Sequence, residues 1–202
     1  MRVGENDIEA TVLVLQKTPY IGGKLIVDAL SPERGKMAFF VRGTGNSRNA
    51  AGQPFDLFRV LNVTCHRNSG DLYYPDSVEI AEDFSGVAAD YETFDTACAL
   101  ARFASLHIMP GLPSGNFFTA LVVALRRLNA HSISLDAAVT GCQLVFLYEA
   151  GSLDYGNATP KEAAQHEILI NMALGAEVPQ LAPEVWRRLR EWSESLVARL
   201  GY

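Results

Sequence analysis

The chain is poor in cysteine and lacks any long apolar run. Its 202 residues include three cysteines, Cys65, Cys98 and Cys142, at wide spacing and without a CxxC pair. This pattern favours neither a disulfide framework nor a zinc finger, and we expect three buried thiols that act as small hydrophobes. No apolar run approaches the roughly 18 residues that span a bilayer. Acidic residues near the N-terminus, Glu5 and Asp7, stand where a signal peptide would be basic and then apolar, so a cytoplasmic location is expected.

Catalytic signatures are also absent from the sequence. The glycine-containing segments 22–24 and 43–46 match neither a phosphate-binding P-loop nor a dinucleotide-binding fingerprint. The four histidines are scattered, without the spacing of four residues that is typical of a metal pair on a helix. The sequence therefore predicts a protein that is not an enzyme and needs no cofactor. An enzyme stays open as an alternative, which would require a close Ser/Cys–His or carboxylate pair in a cleft.

Charge is unevenly divided along this acidic chain, whose formal net charge is −6. Between residues 17 and 67 there are eight bases and three acids, a local net charge of +5. From residue 81 onward there are eight bases and fourteen acids, a net charge of −6. Such asymmetry indicates one part that faces a polyanion and another part with a different task.

The first 80 residues favour strands, and the rest favours helices. Five apolar or alternating segments, 10–16, 24–30, 36–42, 55–65 and 72–80, are separated by turn residues and by a polar, glycine-rich loop. Five such strands are typical of a small closed barrel. After residue 81 the periodicity changes from 2 to 3.6, which predicts helices that begin near Tyr91, Ser114, Ser134, Thr159 and Ala182. We therefore predict an α+β chain, with a five-stranded β-barrel in residues 1–81 and an all-α helical domain in residues 82–202.

The segment 36–42, Lys-Met-Ala-Phe-Phe-Val-Arg, is the most informative part of the sequence. As a strand it directs Met37, Phe39 and Val41 to the core and the alternate residues to the surface. The surface set places two cations around an aromatic ring, which suits a nucleic acid because cations follow phosphates and rings stack on bases. The predicted DNA-binding residues are Lys24, Arg34, Lys36, Phe40, Arg42, Arg48 and Arg59, with Tyr20 and either Tyr73 or Tyr74 as further stacking platforms.

The order of these landmarks resembles the RecO family of bacterial recombination mediators. The segment 11–15 (TVLVL) is similar to that family's first strand, 31–36 (SPERGK) to its turn followed by Gly-Lys, and 40–43 (FVRG) to its basic-Gly segment before a variable loop. The segment 53–58 (QPFDLF) resembles the start of its fourth strand, and 70–72 (GDL) its last hairpin. The segment 136–154 (DAAVTGCQLVFLYEAGSLD) is similar to its helix that ends in an LGY-pDL segment.

The resemblance implies an N-terminal OB-fold followed by an α-helical domain. It also implies DNA repair and homologous recombination: binding of single- and double-stranded DNA, annealing of strands, and help in loading recombinase onto DNA coated with single-strand-binding protein. The implied partners are RecR and the C-terminal tail of single-strand-binding protein, and the implied location is the nucleoid in the cytoplasm. Many family members carry a zinc-binding cysteine cluster between helices, whereas residues 151–159 contain no cysteine here, so zinc is not expected.

Two further departures from the family keep an alternative function open. The loop 43–52 has Arg48 as its only base, and the basic C-terminal end is reduced to Arg199. The alternative is an OB–helical adaptor that has little DNA affinity and works through proteins. In the acidic helical half, an acidic tail with an aromatic end would need an apolar slot flanked by cations. The predicted partner-binding residues are Arg102, Arg126, Arg127, Phe118 and Leu121.

Overall fold

The computed structural model describes residues 7–42, 54–67, 70–153 and 159–200. Five strands come first: β1 Ile8–Tyr20, β2 Lys24–Ser31, β3 Gly35–Arg42, β4 Arg59–Arg67 and β5 Leu72–Asp83. A short 3-10 helix, Ser85–Ala89, is followed by α1 Tyr91–His107, α2 Gly115–Asn129, α3 Leu135–Glu149, α4 Pro160–Ala173 and α5 Pro183–Arg199. The predicted fold class, a five-stranded barrel followed by helices, is confirmed.

The strands close into a barrel in the order β1-β2-β3-β5-β4, and β4 pairs back onto β1. Neighbouring strands are antiparallel except for β3 and β5, which run parallel. Strand β1 is shared, since its first half pairs with β4 and its second half with β2, with a bulge between Val14 and Gln16. A bulge bends a strand and increases its twist, so one strand can serve both sides of the closed sheet. The barrel is the expected OB-fold.

The fourth strand begins at Arg59 instead of residue 55, which corrects the predicted start. Phe58 has a left-handed backbone with φ of 61°, and its N–H donates to the carbonyl of Val14 at 3.2 Å. Both Phe55 and Phe58 are buried, and Phe55 packs on Phe39 in the barrel core with ring centroids 5.4 Å apart. A run of apolar residues does not distinguish a strand from a turn that buries its phenylalanines, and the structure has the turn.

The chain divides into two compact units. The first contains Met1–Gly86 and Ala101–Ser114, and the second contains Val87–Leu100 and Gly115–Tyr202. Helix α1 therefore contributes its first part to the helical unit and its last part to the barrel unit. The domain boundary after residue 81 stays a prediction.

In the barrel unit, the segment 108–114 lies directly against the turn between β2 and β3. Gly35 has φ of 63°, and a Cβ atom at this position would lie 2.3 Å from the Met109 carbonyl oxygen and 2.5 Å from that of Leu112. Backbone hydrogen bonds join the two segments: Lys36 N to Met109 O at 3.4 Å, Gly111 N to Arg34 O at 2.8 Å and Ser114 N to Pro32 O at 2.9 Å. Only glycine permits this approach, because it has no Cβ and adopts positive φ without strain.

The helices of the second unit begin near the residues that the sequence predicts, and α3 and α4 have side-chain caps, of which the one at Ser134 was predicted. Ser134 accepts a hydrogen bond from the first turn of α3, and Thr159 forms a reciprocal capping box with Glu162 at the start of α4. Helix α2 begins directly after Ser114, but the carboxylate of Glu149 accepts from its first N–H groups, at 3.0 and 3.1 Å. Within the described ranges, no helix combines the length and the apolar character needed to cross a membrane.

Two of the three cysteines behave as expected. Cys65 and Cys142 are buried, and burial raises the pKa of the Cys65 thiol to about 11 and that of Cys142 to about 12. Both thiols are therefore protonated at neutral pH and act as small hydrophobes. Cys98 is partly exposed, so the expectation of three buried thiols is wrong for this residue.

Candidate nucleic-acid interface

Strand β3 alternates between the core and the surface as predicted. Its inward residues are buried: Met37 is 1% exposed, Phe39 0% and Val41 8%. Phe40 is half-buried and Arg42 is exposed. The alternation follows from the pleat of the strand, since barrel closure places one face of each strand in the core. Phe40 and Arg42 therefore share the outer face of the barrel.

Four rings from four strands form a continuous line on this outer face, which we call the aromatic row: Tyr20 of β1, Phe40 of β3, Tyr74 of β5 and His66 of β4. Ring centroids are 5.8 Å apart between Tyr20 and Phe40, 5.6 Å between Phe40 and Tyr74, and 5.7 Å between Tyr74 and His66. Tyr74 and His66 are stacked, with 17° between their planes, whereas the other two pairs meet at 74° and 57°. These separations lie in the favourable range for aromatic pairs, so each ring supports its neighbour.

Two cations lie beside the aromatic row. The Lys24 Nζ is 5.0 Å from the centroid of the Phe40 ring, and Lys24 is the register partner of Arg42 across β2 and β3. Both residues border a shallow cleft of about 710 Å³ that Phe40 and Tyr74 also line. Asp76 reaches the same cleft, and its carboxylate lies 2.7 Å from His66 Nδ1. Cations beside ring faces can contact phosphates while the rings stack on bases.

The other predicted DNA-binding residues lie elsewhere or are engaged. The Lys36 Nζ donates to the Ser105 carbonyl oxygen at 3.1 Å, and Lys36 lies about 20 Å along β3 from Arg42. Arg34 is exposed in the turn at the far end of the β2–β3 hairpin, and Arg59 is paired with Asp83 at 2.8 Å. Arg48 lies outside the described residues. The structure thus brings together Lys24, Phe40 and Arg42.

Two ion pairs, Lys17 with Asp56 and Arg59 with Asp83, neutralise part of the basic segment, residues 17–67. Burial alone would raise the pKa of Asp83, but hydrogen bonds from Ser85 and Arg59 outweigh it and hold this pKa below its usual value. The pKa of Asp56 is lowered in the same way, since hydrogen bonds from Lys17 and the Leu57 N–H, together with the charges of Lys17 and Arg59, outweigh the effect of burial. Both carboxylates are therefore ionised at neutral pH and hold their cations within the barrel unit. The local charge of the sequence overstates the positive charge that faces outward.

The structure decides between the two tyrosines that the sequence left open. Tyr74 belongs to the aromatic row, whereas Tyr73 packs on Phe39 of the barrel core with ring centroids 5.8 Å apart. Adjacent residues of a strand face opposite sides, so only one of the two can join the row. His66 was missed as a row member, although its position next to buried Cys65 places it on the outer face of β4. Across the described residues, no group of three His, Cys, Asp or Glu side chains is arranged to hold a metal ion.

The structure does not assemble the predicted partner-binding residues into one slot. Leu121 is 1% exposed and belongs to the core of the helical unit, and Phe118 is half-buried. Arg127 donates from Nη1 to the Met172 carbonyl at 2.8 Å and from Nη2 to the Ala176 carbonyl at 2.6 Å, at the end of α4. Arg126 is exposed on the same helix, whereas Arg102 belongs to the barrel unit.

The helical unit has an apolar groove between α4 and α5 instead. It measures about 520 Å³, and its apolar lining residues are Ile168, Leu169, Pro179, Leu181, Val185, Leu189 and Trp192. The ring of His166 stacks on Trp192 at 5.2 Å. The sequence places Val185, Leu189 and Trp192 on one face of α5, but that face lines the groove, and it is Trp186 that is buried. Periodicity identifies an apolar face without showing what covers it.

Comparison with known proteins identifies similar chains. Residues 3–84 match the family model described as "Recombination protein O N terminal". The chain is 28% identical to DNA repair protein RecO of Anaeromyxobacter dehalogenans (strain 2CP-C) over 155 residues, 76% of this chain and 58% of that protein. It is 30% identical to DNA repair protein RecO of Anaeromyxobacter sp. (strain K) over 124 residues, 61% of this chain and 49% of the relative. The chain thus spans about half the length of the curated relatives that it matches.

Proposed function

Because this chain belongs to the RecO family through its residues 3–84, we propose that it is a mediator of DNA repair and recombination that binds single-stranded DNA on the aromatic row. The relatives that it matches are named DNA repair proteins. In this role the protein binds and anneals DNA in the cytoplasm, at the nucleoid, and helps to load recombinase onto DNA coated with single-strand-binding protein. RecR is a proposed partner, and the work requires no chemical step.

The aromatic row is the observation that supports this proposal. Its rings are spaced by 5.6–5.8 Å and follow one another across the barrel, with Lys24 and Arg42 beside Phe40. Base–aromatic stacking contributes roughly 1–3 kcal/mol for each base, and it tolerates any sequence because every base has a π-face. A row of this kind suits a short stretch of single strand of mixed sequence, with the two cations placed for the phosphates.

Replacement of Phe40 tests the stacking part of the proposal. Fluorescence anisotropy with a labelled single-stranded oligonucleotide should show that Phe40→Leu weakens binding by about tenfold, the change expected from one lost stacking contact. Tyr91→Leu is the matched control, because Tyr91 is an exposed tyrosine of the helical unit and lies outside the row. Equal affinity of the wild type and Phe40→Leu would remove the row from the binding site.

Reversal of the two row cations tests the phosphate part. Lys24→Glu combined with Arg42→Glu should weaken binding and reduce the slope of log affinity against log salt by about 0.7 for each lost phosphate contact. Arg34→Glu is the control, since Arg34 is an exposed cation at the far end of the same hairpin. An unchanged slope in the double variant, or an equal loss in Arg34→Glu, would contradict this placement of the phosphates.

The alternative, an adaptor with little DNA affinity, is supported by the apolar groove of the helical unit. For this unit the proposed partner is the acidic, aromatic-ended tail of single-strand-binding protein. Calorimetry with a tail peptide distinguishes two binding sites for the tail. Loss of binding in Arg126→Ala would favour the predicted slot, and loss of binding in Val185→Asp would favour the groove between α4 and α5. Arg127→Ala would be a poor test, because Arg127 holds two carbonyls at the end of α4. Binding of the peptide without any binding of DNA would favour the adaptor.

A further inference from the structure

The tip of the β1–β2 hairpin exposes an aliphatic side chain at one end of the aromatic row. Tyr20 and Lys24 form the last register pair of the hairpin, and Ile21, Gly22 and Gly23 make its tip. Ile21 is 83% exposed, the highest value among the large hydrophobic side chains of the described residues. Among the described residues, therefore, no side chain covers this large apolar group.

The backbone of the tip projects this side chain away from the barrel. Gly22 and Gly23 have φ of 75° and 69°, and a Cβ at either position would meet nothing within 4 Å. Two glycines in the left-handed region make a tight turn, and the space at both Cβ positions is open. The tip can therefore enter a gap between two strands of nucleic acid.

The position of the tip relates it to the proposed DNA path. Tyr20 precedes Ile21 and is itself 49% exposed, with its ring 5.8 Å from that of Phe40. Lys24 follows the tip, and its Nζ lies over the Phe40 ring at 5.0 Å. A single strand that stacks along the row from Tyr74 to Tyr20 thus reaches Ile21 at the end of its path. No further ring continues the row beyond Tyr20 among the described residues.

We infer that Ile21 is a wedge that recognises the junction between single-stranded and double-stranded DNA. Apolar side chains such as isoleucine insert between base steps and partly unstack them. With the single strand on the aromatic row, Ile21 meets the first base pair of the adjoining duplex and packs against its exposed face. This inference rests on the proposed function, and it adds a preference for junctions and a local opening of the duplex end.

Three DNA probes and two variants test the wedge. The probes are a single strand, a blunt duplex, and the same single strand annealed over half its length, with 2-aminopurine in the junction base pair. Wild type should bind the half-annealed probe about tenfold more tightly than the single strand, and 2-aminopurine fluorescence should rise on binding. Ile21→Ser should lose both effects while it keeps the affinity for the single strand. Ile21→Val, which keeps an apolar branched side chain, should retain both.

The outcomes separate the wedge from the DNA-binding function. If wild type binds the single strand but shows neither the junction preference nor the rise in fluorescence, the wedge is wrong and the proposed function stands. An equal junction preference in Ile21→Ser would also overturn the wedge, because the apolar side chain would then be unnecessary. Absence of binding to all three probes would instead refute the proposed function. A thermal melt of each variant by circular dichroism shows that the exposed substitutions leave the fold intact.

Discussion

Gly35 is the position where a single methyl group should damage the barrel unit most clearly. The Cβ of Gly35→Ala would lie 2.3 Å from the Met109 carbonyl oxygen and 2.5 Å from that of Leu112. Both atoms belong to the backbone, so no side-chain rotation can relieve the overlap. The segment 108–114 must move away from the turn, and φ of 63° becomes strained at the same time.

The cost of Gly35→Ala follows from these two effects. A left-handed backbone costs a residue with a Cβ roughly 1–2 kcal/mol. Movement of the segment weakens the three backbone hydrogen bonds that join it to the turn, Lys36 N to Met109 O, Gly111 N to Arg34 O and Ser114 N to Pro32 O. Each such bond contributes about 1 kcal/mol. We expect a loss of about 3–5 kcal/mol in the free energy of unfolding of the barrel unit.

Urea titration followed by far-ultraviolet circular dichroism measures this loss, and amide hydrogen exchange in β3 assigns it to the barrel unit. Gly23→Ala is the matched control, because its φ is 69° and a Cβ there would meet nothing within 4 Å. The control should lose only the conformational part, about 1–2 kcal/mol. If Gly35→Ala costs no more than Gly23→Ala, the close approach of the two segments does not constrain the fold and the reasoning is refuted.

Two further predictions concern charged groups. Hydrogen bonds to the ionised form lower the pKa of Asp83 in the folded state, so its contribution is present above the unfolded pKa of about 3.9 and is lost as the pH falls through the folded pKa. Asp83→Asn should therefore lower the free energy of unfolding at pH 7. The loss should be less than about 1 kcal/mol, because the pair with Arg59 is partly exposed. The gap should close as the pH falls through the folded pKa of Asp83, and a gap that persists in strongly acidic solution would show that charge is not its cause. Arg127→Ala should destabilise the helical unit by about 1–3 kcal/mol in urea titrations, since it removes two hydrogen bonds from a charged side chain to carbonyls at the end of α4, whereas Arg188→Ala, at an exposed position of α5, should have little effect. Equal stability of the two arginine variants would contradict the structural role of Arg127.

Features that depend on neighbours along the chain were predictable. The alternation of β3 follows from the pleat of one strand, and the structure confirms that Phe39 is buried while Phe40 is not. The starts of α3 and α4 follow from Ser134 and Thr159, whose side chains accept hydrogen bonds only a few residues away. The order of strands and helices, and the resemblance to the RecO family, were likewise readable because they depend on the sequence order of short segments.

Features that depend on contacts between distant segments were not predictable. Lys24 and Lys36 both belong to the basic segment, and the sequence does not distinguish them. In the structure Lys36 donates a hydrogen bond to the Ser105 carbonyl, whereas Lys24 lies over the Phe40 ring. Leu121 and Val185 both belong to apolar helix faces, but Leu121 is in the core and Val185 lines a groove. Periodicity shows which face is apolar, whereas burial depends on which other element packs against it.

The aromatic row shows this division most clearly. The sequence by itself determined that Phe40 and Tyr74 lie in strands, and for Phe40 that the ring faces outward, because side-chain direction is a local property of the strand. The predicted first strand ended at residue 16, and the structure extends it to Tyr20. Only the tertiary structure decided that these rings meet each other and His66, since the row requires the register of four strands and the closure of the barrel. Register and closure are set by hydrogen bonds between residues far apart in the chain, and a shift of one residue would turn each ring to the other face.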